Sequence, residues 1–151
     1  MPVQTTYSFK DLTGVIDNTD LPSPFQIAGG NIGVGRLTIR MVTQRTEHDT
    51  AADGVVMPSY IPGASAEVTI EMQQTSALHH LLLSLYNQLV TEADVGDVGN
   101  WAGTTLSLRT ILDGSGHYLS GVSFQKIPDK PYEAKGQNVS WILMAANCVN
   151  Q

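Results

Sequence analysis

The sequence is short of charge, of cysteine and of long apolar runs, and each shortage removes a class of protein. Only 15% of its 151 residues are charged, against about 25% in an average soluble domain. A single cysteine, Cys148, excludes a disulfide framework within the chain and any site built from several thiolates. The longest apolar run, around Leu81 to Leu83, falls far below the roughly 20 residues of a membrane-spanning helix. Lys and Arg number 8 against 14 Asp and Glu, a net charge of −6. Tight binding of a nucleic-acid backbone needs clustered Lys and Arg, so none is expected. Met1 to Thr6 lack the basic and apolar stretches of a secretion signal, and no secretion is expected.

What is there is Thr, Ser, Asn, Gln and Gly. Such a surface fits faces buried against other subunits, where charge is depleted; it equally fits the exposed faces of a β-rich domain. No linker and no internal repeat interrupts the chain, so residues 1–151 read as one unit of ordinary domain size. Period-two alternation predicts strands over 36–43, with Leu37, Ile39 and Met41 on one face, and over 66–72, with Val68, Ile70 and Met72 on one face. Further strands are expected over 6–9, 14–17, 105–109, 118–124 and 139–143, seven or eight in all, with Asp113-Gly114-Ser115-Gly116 as a hairpin turn. One segment has helical spacing instead. From Ala77 to Val90 the leucines Leu78, Leu81, Leu82, Leu85 and Leu89 recur, capped by Thr75 or Ser76 and ended by the acidic tail Glu92 to Gly99. Leu78, Leu82, Leu85 and Leu89 are therefore expected in the core. The fold class is mainly β, with one helix over about 76–90 flanking the sheet.

Residues 44–65 are longer than any hairpin requires, since hairpin loops take about two to five residues. The stretch mixes Arg45, Glu47, His48, Asp49 and Asp53 with Val55, Met57 and Tyr60, a composition expected of an arm that folds against something. Chemistry is sparse. The run Gly29 to Gly35 enters a strand and has Arg36-Leu37 where a phosphate loop needs Lys-Ser/Thr. His79 and His80 are adjacent on a helix and diverge by about 100°, so they cannot share a metal ion. Glu47-His48-Asp49 is a weak metal cluster, and Cys148 lacks the basic surroundings of a nucleophile. No catalytic, cofactor or metal site is expected. The alternation around 66–72 leaves Glu67, Thr69 and Glu71 on a polar face, joined across a hairpin by Thr38 and Arg40.

The order of these features resembles a known family. It runs from Tyr7-Ser8-Phe9-Lys10-Asp11 and Gly14-Val15-Ile16-Asp17 through the glycine-rich turn, the strand at Arg36 and the long loop with Asp53-Gly54. It continues through Val68 to Met72, Gln74-Thr75-Ser76 before the leucine helix, the Gly114 hairpin, Lys126-Ile127-Pro128-Asp129 and the strand with Trp141. Over nearly the whole chain this is similar to the tail tube proteins of bacteriophages, especially contractile ones, and to the haemolysin-coregulated tube proteins of type VI secretion. The resemblance implies a β-sandwich or barrel with one flanking helix. It further implies hexameric rings stacked into a hollow conduit for the genome, in a virion tail assembled in the bacterial cytoplasm. Sheath, baseplate and terminator proteins would be the partners, with DNA passing unbound and no membrane anchor. On that reading Thr38, Arg40, Glu67, Thr69 and Glu71 face a net negative lumen, and the 44–65 arm contacts other subunits. Another β-rich virion component (a tail terminator, baseplate-hub tube protein or decoration protein) and a small ligand-binding β-barrel are the alternatives.

Overall fold

The computed structural model describes residues 6–28, 33–110 and 114–151. Strands β1 (Leu12–Asp17), β2 (Phe25–Ala28) and β3 (Val34–Met41) precede β4 (Thr46–Thr50) and β5 (Val56–Tyr60). After β6 (Ala66–Gln73) comes helix α1 (Ala77–Asp94), and β7 (Thr104–Thr110), β8 (Gly116–Lys126) and β9 (Asn138–Asn150) follow it. Seven strands form one antiparallel sheet in the order β2-β1-β7-β8-β9-β6-β3, and among the described residues β4 and β5 pair only with each other. The large sheet curls into a half-barrel.

Alternation in β6 fixes the two sides of this sheet. Ala66, Val68, Ile70 and Met72 are no more than 2% exposed, while Glu67, Thr69 and Glu71 between them are half-buried. Burying each large apolar side chain contributes about 1.5–3 kcal/mol. Leu78, Leu82, Leu85 and Leu89 of α1 are buried in the same cluster as Val68, Leu106, Phe124 and Trp141, so one stripe of the helix covers the inner face. The Ser76 hydroxyl accepts from the Leu78 N–H and caps the helix. Its other end lies beyond the expected stop: the helix continues through Glu92 to Asp94, and Gly96 at φ +96° turns the chain away.

The structure corrects several sequence expectations. Instead of a strand over 6–9, Phe9–Asp11 form a 3₁₀ turn, because the Ser8 side chain accepts from the Lys10 N–H and caps it. The 44–65 segment is not a loop but a two-stranded hairpin. Nine strands are present among the described residues, β2 being unforeseen. β9 runs well past Leu143 because both its edges are paired, to β8 and β6. Gly29 to Ile32 and Asp113 lie outside the described residues, but Gly114 takes the positive φ (+72°) that the turn requires. Gly121 has φ +63°, and a Cβ there would lie 2.7 Å from that of Ala146, so the β8–β9 pair depends on glycine at this position.

Candidate interaction surfaces

The polar face forms where β3 lies against β6. Thr38 sits opposite Thr69, Arg40 opposite Glu67 and Arg36 opposite Glu71. Arg40 Nη2 donates to Glu67 Oε2 at 3.1 Å. The Arg40 side chain is 66% exposed, so the pair contributes little stability. Its effect is on the field. Arg36 shares the face of Thr38 and Arg40 by the same alternation, but the sequence-based set began at Thr38 and left it out. The register shifts between Val34 and Arg36, with Gly35 between them, which reverses the phase and turns Arg36 outward beside Glu71. Two guanidiniums thus stand opposite two carboxylates, and the expectation of a net negative β3–β6 face is corrected to a balanced one. The face is also not purely polar. Beyond Thr69 lies the half-buried Ile142, and beyond Glu67 lies Met144, 46% exposed.

Every residue of β4 and β5 is exposed. Their register sorts the arm into two faces: Thr46, His48, Thr50, Val56, Pro58 and Tyr60 share one, and Glu47, Asp49, Met57 and Ser59 the other. His48 therefore projects away from Glu47 and Asp49, and among the described residues no three metal-ligating side chains converge. Asp53 builds the tip: its Oδ1 accepts from the Val55 N–H at 3.1 Å, and Gly54 takes φ +88°. Val55 and Met57 are 62% and 59% exposed. At the base, Arg45 donates to the Tyr60 hydroxyl at 3.1 Å and lies 6.0 Å from the centre of its ring. The uncharged face, with Val56 and Pro58, went unnoticed in the sequence because its period becomes visible only once the register is known.

His79 and its neighbour part company. His80 is exposed, whereas His79 is 2% exposed and its Nδ1 accepts from Trp141 Nε1 at 2.9 Å. The proton therefore sits on Nε2, which is buried without a partner. Burial foremost, then Lys130 and His80, hold this imidazole below its usual range. Glu92, expected in an exposed acidic tail, turns inward at the end of α1, with Oε2 buried. Burial foremost, then a hydrogen bond that the protonated carboxyl donates to Asp20, raises its pKa. Burial likewise raises that of the Cys148 thiol, which is 4% exposed and donates weakly to Asn150 Oδ1.

A curled sheet packed on a helix, with its other face uncovered and a hairpin exposed along its whole length, defines a β-rich protein whose chemistry lies on broad surfaces. Residues 4–150 match the family described as bacteriophage PhiTE tail tube protein, and the chain belongs to that family. The fold is similar to that of a chain in the anti-feeding prophage cap, which terminates its tube, at a TM-score of 0.58 and 8% identity over 100% of this chain and 94% of that one. It is also similar to a chain of the six-fold symmetrised anti-feeding prophage baseplate, at 0.55 and 10% identity over 99% and 94%. A comparison with curated protein sequences finds no match. The chain is thus a structural component of a phage tail. No helix among the described residues is long and apolar enough to cross a membrane.

Proposed function

We propose that the chain, acting as one unit over residues 1–151, is the repeating subunit of a tail tube. Six copies form a ring, their sheets joined edge to edge, and rings stack into a hollow conduit through which the genome leaves. The observation that carries this reading is an open curled sheet, in a tail tube family, whose end strands β2 and β3 have no further partner among the described residues. Unpaired edges of this kind invite pairing with another chain, and pairing in a ring removes them.

On this reading the β3–β6 face turns toward the axis. Its paired charges give passing phosphates no cluster of cations to bind, and the arm bearing Arg45, Glu47, His48, Asp49, Asp53, Val55, Met57 and Tyr60 reaches neighbouring copies. The subunit catalyses nothing, needs no cofactor, assembles in the host cytoplasm and meets sheath, baseplate and terminator proteins in the virion. The same architecture relates it to the haemolysin-coregulated tube proteins.

Electron microscopy of the purified protein tests the proposal: hollow tubes of stacked six-membered rings are expected. The likeness to a tube-terminating cap favours a second reading, a terminator. Single rings that never stack would establish that reading and overturn the first, and a persistent monomer would overturn both.

A further inference from the structure

We infer that the uncharged face of the β4–β5 arm seats in a groove of mixed polarity, free of acidic, Lys or Arg side chains, on a second copy of this chain; this rests on the tube reading above and names the surface that the arm finds. The groove lies where the half-barrel opens, between the edge strand β3 and the first described residues. Tyr7, Phe9, Leu12, Leu37, Ile39 and Leu108 line it together with the polar Ser8, Thr110 and His117, and it holds about 250 Å³. That is below the roughly 300–1,000 Å³ of small-molecule pockets, but it has room for one or two side chains. Leu37 and Ile39 explain why it exists. They belong to the inward face of β3 yet remain half-buried, because no strand continues the sheet beyond them among the described residues.

Three observations select the arm of another copy as the occupant. First, the groove lining carries no acidic or Lys/Arg side chain, and neither does the arm face formed by Thr46, His48, Thr50, Val56, Pro58 and Tyr60. Contact between them strands no charge, while Glu47 and Asp49 stay on the far face in water. Second, the arm leaves its own groove empty. Both of its strands are exposed throughout, and a lone two-stranded hairpin is only marginally stable in water, so its order calls for an external support. Third, arm and groove are different surfaces. Their contact is therefore heterologous and leaves each copy with a free arm or a free groove for the next, the geometry that yields rings and helical stacks.

A photocrosslinking amino acid placed at Val56 in the full chain tests this in assembled material. Mass spectrometry should locate the adduct on residues 7–12, 37–39 or 108 of a different copy. An adduct elsewhere on a neighbour, or within the same chain, would overturn the inference. A pair of charge variants gives a second reading. Val56→Asp, on the uncharged face, should abolish intercopy adducts and assembly while the monomer keeps its circular dichroism and melting temperature. Ser59→Asp, on the other face, should assemble as the wild type does; equal behaviour of the two variants counts against the docking. Tubes with adducts at the wrong place sink the docking alone. Wild-type protein that yields no tubes but still crosslinks arm to groove sinks the tube reading alone.

Discussion

Two antiparallel strand pairs in this molecule have the same backbone geometry and opposite circumstances. In β6–β9 the inward residues Val68, Ile70, Trp141 and Leu143 are at most 1% exposed. In β4–β5 nothing is buried at all. The first pair is held by its own core. The second carries Val56, Met57 and Tyr60 into solvent, where Tyr60 is 76% exposed. Hydrogen-bonded pairing alone thus does not show which part of a protein supports itself; the surface lost from water does. The core pair serves the fold, and the arm adds nothing to the core.

The comparison can be broken most sharply at the helix. Leu82→Ala should cost about 2–5 kcal/mol, because the site is fully buried and collapses incompletely, as read by urea denaturation. By contrast, deleting Glu47 to Pro58 should leave the melting temperature of the monomer within about 1 °C while abolishing polymerisation, since exposed surface away from the core contributes little; a deletion that unfolds the chain would erase the distinction. Gly121→Ala comes next. The alanine must hold a positive φ and press on Ala146, a strain of about 1–3 kcal/mol, which denaturant titration would register.

Acid should sharpen the comparison. The folded state depresses the pKa of His79, so the unfolded chain binds the proton more readily and this residue's contribution is complete above about pH 6.5. It falls as pH drops through the folded-state value, since a protonated ring must give up the bond from Trp141. His79→Gln should flatten stability between pH 7.5 and 5, and an unchanged slope would show that acid acts elsewhere. The smallest effect on folding belongs to Glu67→Lys with Glu71→Lys. Arg40 loses an exposed partner, costing up to about 1 kcal/mol, so assembly should persist. If this face lines the conduit, genome ejection should slow, most strongly at low salt where screening is weakest.

The core was legible because its residues alternate for the chain's own benefit. The 3.6-residue recurrence of leucines in α1 and the period of two in β6 follow directly from having one buried face. The arm hid from the same reading, since it has no buried face to impose a period and Pro58 argues against a strand. Arg36 was in phase with Thr38 and Arg40 in the sequence, but only the pairing shows that it stands opposite Glu71. The His79–Trp141 bond joins residues 62 apart in sequence, and no local signal marks it. Among the candidate surfaces, then, residue identities were readable, but the charge balance and the grouping into faces needed the register.

The strand order also sets a timetable. β9, the last strand in sequence, lies between β8 and β6 and so joins the block β2-β1-β7-β8 to the block β6-β3. β1 must likewise wait for β7, about ninety residues later, before its second edge is paired. Contacts so distant in sequence slow folding, because loop-closure entropy is lost before the contacts are gained. During synthesis the nascent chain therefore carries two unjoined half-sheets until residues 138–150 emerge from the ribosome. Before then both half-sheets hold open edges and uncovered apolar faces, the state in which a nascent chain is most exposed to mispairing.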